Sequence, residues 1–117
     1  MNRSEIWLIN LDPAIGAEIK KSRPVVIVSS NAAGVLPLRV IVPITDWKDR
    51  YQSAEWMVKI TPNKQNGLTK DSAADSFQIR SVSVSRFIKK IGSVSQREIY
   101  DIAEAIALVV EYPSIIR

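Results

Sequence analysis

Apolar residues in this chain fall into short runs typical of β-strands until a helical pattern appears near the end. Residues 24–29 contain the unbroken β-branched and apolar run Val25 to Val28, which favours a strand buried on both faces. Other short segments rich in apolar and β-forming residues predict four further strands over residues 4–11, 38–44, 57–60 and 88–94. The chain therefore reads as mainly β.

Residues 76–85 predict one more strand, in which the apolar pattern changes phase. Phe77 and Ile79 share one phase, whereas Val82 and Val84 share the other. A β-bulge near Arg80 is predicted from this slip.

Two further features mark the ends of elements. Pro43 has no N–H to donate to a neighbouring strand, so that end of strand 38–44 is predicted at a sheet edge or a bulge. The pair Asn66-Gly67 predicts a turn.

A capping box and helical periodicity predict one C-terminal helix. Ser95 and Glu98 have the capping-box spacing, and Pro113 is placed to end the helix. We predict a mainly β, α+β fold in which a strongly bent antiparallel sheet or partly open barrel carries this helix, as a single domain over residues 1–117.

The composition narrows the chemistry. The 117 residues carry a net charge of +4, which favours an anionic partner, and they include no cysteine and no histidine. The lack of cysteine excludes disulfides and cysteine chemistry. The lack of histidine removes the commonest general base and the commonest metal ligand, so neither a metal nor another cofactor is expected. The apolar runs are too short to cross a bilayer and no signal-peptide pattern is present, so no membrane partner and a cytoplasmic location are expected.

The approach to strand 24–29 carries the strongest candidate for function. Pro24 disfavours the helical region for Arg23, so Arg23 is expected in an extended conformation at the start of a buried strand. A rigidly mounted guanidinium suits a phosphate, and Lys20 and Lys21 add positive charge beside it. A surface arginine that happens to precede a strand is the alternative.

An enzyme of this composition would depend on Arg, Lys, Thr, Ser and carboxylate side chains. Such groups can position a phosphodiester, and RNA brings its own nucleophile in the 2′-OH. Thr45, at the end of a predicted strand, could contact the phosphodiester or could have a purely structural role. Trp47 and Trp56 fit base stacking, the core or an interface equally well. From the residues alone, an RNA-active site is one possibility among several.

Ordered motifs along nearly the whole chain resemble the MazF/PemK family of toxins from bacterial toxin–antitoxin pairs. They are Ile6-Trp7, Asp12-Pro13, Gly16, Glu18, Arg23-Pro24-Val25-Val26, Val42-Pro43-Ile44-Thr45, Gly67-Leu68, Lys70-Asp71-Ser72, Gln78-Ile79-Arg80, Ser85-Arg86-Phe87 and Lys90-Ile91-Gly92.

The resemblance implies a fold, an activity and partners. The fold would be an SH3-like barrel that acts as a homodimer. The activity would be sequence-selective, metal-independent cleavage of single-stranded RNA, mostly mRNA, leaving a 2′,3′-cyclic phosphate and a 5′-OH. A cognate antitoxin would cover the RNA groove with an acidic, partly disordered segment.

The resemblance also implies roles for individual residues. Arg23 and Thr45 would be the catalytic pair, in which Arg23 neutralises the scissile phosphate and acts as acid or base while Thr45 orients the phosphate. Supporting or RNA-binding positions would be Glu18, Lys20, Lys21, Asp71, Ser72 and Gln78.

Departures from the family pattern leave some points open. Ser4-Glu5 stands where Gly-Asp is frequent, and Phe77 stands where an acidic residue often precedes the glutamine, so the contacts of Gln78 are open. The loop over residues 47–56 matches no family pattern, and such loops tend to set the target sequence.

Two alternatives remain at this stage. One is a DNA gyrase poison of the CcdB type, although that activity resides in a C-terminal Trp-Gly-Ile and this chain ends Ser114-Ile115-Ile116-Arg117. The other is a catalytically inactive barrel that binds RNA or a partner.

Overall fold

Seven strands and one α-helix make up the computed structural model, which describes residues 1–113. The strands are β1 (Glu5–Asn10), β2 (Ser22–Ile27), β3 (Leu38–Asp46), β4 (Met57–Ile60), β5 (Ser72–Asp75), β6 (Arg80–Ser83) and β7 (Phe87–Ser93), and the helix is α1 (Gln96–Val109). Residues 114–117, whose sequence differs from the C-terminal Trp-Gly-Ile of the gyrase alternative, lie outside the described residues. In the described part of the chain, no helix is long and apolar enough to cross a membrane.

All strand pairings are antiparallel, and the sheet runs in the order β4-β5-β3-β2-β1-β7 with β6 paired to β3. β3 pairs with β2 along one side, while on the other side its residues 38–41 pair with β6 and its residues 44–46 pair with β5. This mainly β, antiparallel architecture with a C-terminal helix confirms the predicted fold class. Pro43 is fully buried and lies between the stretch of β3 that pairs with β6 and the stretch that pairs with β5. Its missing N–H therefore falls where the hydrogen-bonded ladder is interrupted and not at the edge of the sheet.

The prediction of one bulged strand over residues 76–85 is wrong. β5 ends at Asp75, a 3-10 turn occupies Ser76–Gln78, and a second 3-10 turn follows β6. The Asp75 carboxylate accepts a hydrogen bond from the Phe77 amide at 3.2 Å, and the Ser83 hydroxyl accepts one from the Ser85 amide at the same distance. Because such local side-chain bonds compete with strand pairing, each turns the chain and produces a phase change.

β5 was not predicted as a strand because its sequence, SAAD, has low β-propensity. It lies between β3 and β4, and all four of its residues are buried. Tertiary pairing, and not local preference, makes this segment a strand.

The two faces of β2 bury side chains in two different clusters. Val26 and Val28 pack with Ile102 of α1 in one cluster, whereas Val25 and Ile27 belong to the other. The prediction that this strand is buried on both faces is therefore confirmed. α1 begins with the predicted capping box, in which the Ser95 hydroxyl and the Glu98 side chain each accept a backbone N–H.

Glu5 ties the start of β1 to its surroundings. Its carboxylate accepts hydrogen bonds from Trp7 Nε1 at 2.9 Å and the Asn2 amide at 3.1 Å, and it lies 3.4 Å from Lys90 Nζ on β7. Burial alone would raise the pKa of Glu5, but these hydrogen bonds and the charges of the N-terminal amine and Lys90 outweigh it and lower the pKa to about 2. The carboxylate is therefore ionised at neutral pH.

A buried asparagine holds the loop between β4 and β5 in place. Asn66 is fully buried, and its amide oxygen accepts from the backbone N–H groups of Asn63 and Leu68 while its nitrogen donates to the Thr61 carbonyl. The loop then seats on Gly92 of β7 so closely that no side chain fits between them. The asparagine contacts and this close approach together fix the path of the loop.

We expect Gly92→Ala to destabilise the protein because an added Cβ would lie 2.4 Å from the Gln65 carbonyl oxygen and 2.6 Å from that of Asn66. The free energy of unfolding should fall by about 1–3 kcal/mol, the usual scale for overpacking. Gly34→Ala is a control, since Gly34 has φ −65° and its Cβ would meet its nearest atom at 3.0 Å. Denaturant unfolding should give a much smaller loss for this control, and equal stability of both variants would contradict the close seating of the loop.

Candidate active site

Arg23 lies at the second position of β2, where its backbone pairs with Ile9 of β1. The residue is extended and half-buried, as Pro24 predicts. Its Nε donates a long hydrogen bond of 3.4 Å to the Lys20 carbonyl on the preceding loop. The guanidinium is therefore attached to a buried strand and contacts the loop that leads into it.

Thr45 lies on β3 and pairs with Ala73 of β5. The pairing of β2 with β3 matches Val25 to Pro43, and the same register extended by two residues places Arg23 opposite Thr45. Both residues line one cavity of about 250 Å³. The structure thus brings the predicted catalytic pair together.

Two further charged residues line this cavity and were not predicted from the sequence. Lys70 and Asp46 form an ion pair with 3.2 Å between Nζ and Oδ2, and both side chains are more than half exposed. Lys70 belongs to the Lys70-Asp71-Ser72 motif, but it lies in a bend just before β5, so the alternation of side chains along a strand does not place it at the cavity.

Ser72 and Asp71 have different surroundings. Ser72 lines the cavity, is buried, and donates from Oγ to the Lys70 carbonyl at 2.9 Å. Asp71 is not among the lining residues, and its carboxylate lies 3.9 Å from Lys59 Nζ on β4. Of these two predicted positions, the structure brings only Ser72 to the arginine and threonine.

A second, larger cavity of about 520 Å³ contains two other predicted residues, Glu18 and Gln78. The Glu18 carboxylate accepts from the Ile15 amide at 2.7 Å, so it stabilises a turn in its own loop. Arg80 also lines this cavity and donates from Nη1 to the Leu11 carbonyl at 3.4 Å. Arg80 was not predicted as a site residue, although the Gln78-Ile79-Arg80 motif contains it.

The amide of Gln78 is bound to the protein on both sides. Oε1 accepts from the Ile19 amide at 2.6 Å, and Nε2 donates to the Ala17 carbonyl at 3.2 Å and to Asp75 Oδ2 at 3.3 Å. Asp75 is almost fully buried, and this burial raises its pKa while hydrogen bonds from Phe77 and Gln78 oppose the shift. The contacts of Gln78 that the sequence left open are thereby defined.

Lys20 and Lys21 are exposed on the loop between β1 and β2 and line neither cavity. Lys21 has φ +68°, and its amide donates to Asp12 Oδ1 at 2.9 Å while its carbonyl accepts from Leu11. The backbone at the foot of the loop is thus fixed, and the two ammonium groups lie on the approach to Arg23.

The two tryptophans of the loop over residues 47–56 lie in different surroundings. Lys59 Nζ lies 5.1 Å from the centre of the Trp47 ring. Trp56 packs edge-on against Phe77, which lines the larger cavity, with 5.9 Å between ring centres.

The site combines cations with a hydroxyl and no metal cluster. Among residues 1–113, no group of three or more His, Cys, Asp and Glu side chains could hold a metal ion. Arg23 and Lys70 offer positive charge, and Thr45 offers a hydroxyl in the same cavity. Such a set suits a phosphate group, which takes charge-assisted hydrogen bonds from guanidinium and ammonium groups.

The antiparallel sheet of seven strands with one C-terminal helix matches the fold of solved toxin structures. The chain belongs to the PemK-like, MazF-like toxins of type II toxin–antitoxin systems, whose family model matches residues 2–110.

Individual relatives extend the comparison. Endoribonuclease MazF9 of Mycobacterium tuberculosis is 34% identical over 114 residues, which cover 92% of this chain and 94% of that protein. The fold is similar to that of the MazF crystal structure from Deinococcus radiodurans, with a TM-score of 0.78 at 18% identity, covering 95% of this chain and 96% of the other. An endoribonuclease solved in complex with its cognate antitoxin from a mycobacterial species gives a TM-score of 0.76 at 19% identity, covering 97% and 98% of the two chains.

Proposed function

We propose that this toxin is a metal-independent endoribonuclease that cuts single-stranded RNA, chiefly mRNA, at selected sequences. The observation that carries the proposal is the cavity lined by both Arg23 and Thr45. The names of relatives add support, since MazF9 of M. tuberculosis and PemK of Escherichia coli are both described as endoribonucleases.

The chemistry follows from what the cavity offers a phosphodiester. The RNA 2′-oxygen attacks phosphorus, the bond from phosphorus to the 5′-oxygen breaks, and the products are a 2′,3′-cyclic phosphate and a 5′-OH. The 2′-OH loses its proton and the 5′-oxygen gains one. Arg23 is the candidate acid or base for one of these two transfers, and solvent water exchanges the other proton. Arg23 stabilises the charge that grows on the phosphoryl oxygens, and the Thr45 hydroxyl orients the same group.

Residues near the cavity support binding of the RNA strand. Lys70 adds a second positive charge to the cavity, although its pairing with Asp46 moderates it. Lys20 and Lys21 attract the RNA backbone on the approach. We propose that the loop over residues 47–56, with its tryptophans and cations, contributes to the choice of target sequence.

We expect Arg23→Ala to lower the single-turnover rate of cleavage by about 10²-fold or more, the scale for loss of a preorganised charge at a transition state. Arg23→Lys should restore only part of the rate because an ammonium lacks the planar fork. Thr45→Ala should slow cleavage by less. The measurement is denaturing gel analysis of a labelled RNA cut by protein freed of host ribonuclease, in excess EDTA.

The control for this chemistry is the same oligonucleotide with one 2′-deoxy sugar at the cut site, which should bind and remain intact. Robust cleavage by the Arg23→Ala protein would show that the active site lies elsewhere. Binding of RNA without any cleavage by the wild-type protein would favour an inactive barrel, and inhibition of gyrase in place of RNA cleavage would favour the other alternative.

We also propose that a cognate antitoxin covers this site with an acidic, partly disordered segment. The solved complex of a mycobacterial endoribonuclease with its antitoxin supports the partner, and the net charge of +4 favours an acidic one. The proposed setting is the bacterial cytoplasm, where mRNA is present.

Expression of this chain alone should arrest growth, because an active ribonuclease depletes mRNA. Co-expression of the small acidic reading frame beside its gene should relieve the arrest. Induction of Arg23→Ala is the matched control and should leave growth unaffected. Harmless expression of a folded protein that cuts RNA would contradict the toxin role in cells.

The family resemblance further supports a two-fold homodimer with the RNA groove at or across its interface. Large apolar side chains exposed in the isolated chain, such as Val35, Leu36 and Leu38, offer surface for such contacts. Sedimentation at micromolar concentration should give about twice the chain mass. A monomer under those conditions would contradict a groove shared between two copies.

A further inference from the structure

The loop between β1 and β2 is attached to the rest of the fold at two levels. At its foot, the Leu11 amide donates to the Lys21 carbonyl, and Asp12 accepts from the Lys21 amide. Higher up, Gln78 reaches across from the 3-10 turn after β5 and binds the Ala17 carbonyl and the Ile19 amide. This second attachment lies close to the residues that lead into Arg23.

Asp75 fixes which way the Gln78 amide points. Nε2 donates one hydrogen to the Ala17 carbonyl and the other to Asp75 Oδ2, while Oε1 accepts from Ile19. The reversed amide would place its oxygen against a carbonyl and a carboxylate and its NH₂ against an N–H. All three contacts therefore require one orientation, and a buried acceptor at Asp75 selects it.

These contacts lie one residue away from the arginine's own partner. Ile19, which Gln78 binds, is followed directly by Lys20, whose carbonyl accepts from Arg23 Nε. A loop freed at Ile19 would carry that carbonyl with it. The guanidinium would then lose the contact that orients it, while its attachment to β2 would be unchanged.

We propose that Gln78 and Asp75 are positioning residues for RNA cleavage, which hold the Ala17 and Ile19 backbone and thereby orient Arg23 through the Lys20 carbonyl. This inference rests on the proposed function. It departs from the expectation that Gln78 serves the RNA directly, because its two N–H donors are already bound within the protein. It also gives Asp75 a role that the sequence did not suggest.

Near-isosteric exchanges of the two side chains test the proposal. Gln78→Glu removes both donors and sets a second carboxylate beside Asp75 and the Ala17 carbonyl, so the contacts to the loop should open. Asp75→Asn replaces one of the two carboxylate oxygens with an NH₂ group. The remaining oxygen can accept from the Phe77 amide or from Gln78 Nε2, and the NH₂ group then faces the other donor. In the double variant, the new amide at position 75 can donate to the new carboxylate at position 78, which still accepts from Ile19. Much of the attachment should therefore return.

The first measurement is hydrogen exchange of the Ile19 amide by NMR, which requires no RNA. Exchange should accelerate by about tenfold or more in each single variant and return toward the wild-type rate in the double variant, because opening exposes an N–H that was protected. Amides of β2 should remain unchanged. Gln96→Glu on α1, an exposed position, is the matched control and should leave the Ile19 amide protected.

The second measurement is single-turnover cleavage at saturating protein. Each single variant should lower the maximal rate by about tenfold with little change in the half-saturating concentration, since misplaced catalytic groups reduce rate more than binding. The double variant should recover. In an Arg23→Ala background, Gln78→Glu should lower the maximal rate only slightly further, because the glutamine acts through the arginine.

Several outcomes would overturn the proposal. An unchanged Ile19 amide in both single variants would show that Gln78 does not hold the loop. A loss of RNA affinity that persists in the Arg23→Ala background, with normal exchange, would make Gln78 an RNA contact. Absence of cleavage by the wild-type protein would defeat the proposed function and the positioning role with it, while the exchange data would still establish or exclude the attachment of the loop.

Discussion

The antiparallel pairing of β2 with β3 is the constraint on which the site depends. Each strand has one continuous buried stretch, residues 25–27 in β2 and residues 41–44 in β3, so neither strand can slip by one residue without turning these apolar side chains away from their cores. Side chains of β2 enter the two core clusters alternately, which makes a register error costly on both faces. Arg23 and Thr45 are held relative to each other by this packing, and no direct contact between them is needed.

Much of this arrangement could be read from the sequence because β2, β3 and α1 carry strong local patterns. An unbroken apolar run, a proline at a defined place and a capping box each have one dominant structural meaning. The pairing of Arg23 with Thr45 came instead from family resemblance, since periodicity does not specify which strands are neighbours.

The segment from β5 to β6 could not be read in the same way. β5 is a strand only because β3 and β4 lie on either side of it, and its alanines carry no preference that reveals this. The turn after it depends on Asp75, whose side chain bonds to the backbone and then to Gln78. The place of Lys70 at the cavity is hidden from the sequence for a related reason, since it depends on the path of the loop before β5.

Within the described residues, the strand order ends at β4 on one side and at β7 on the other, so each of these two strands pairs with another strand on one side only. Lys89 and Lys90 are exposed on β7, and Lys59 is exposed on β4. An ammonium group on an edge strand disfavours the approach of a second strand, because joining two edges would bring like charges together and strip them of water. The same lysines thus disfavour edge-to-edge stacking of copies of this strand-rich protein.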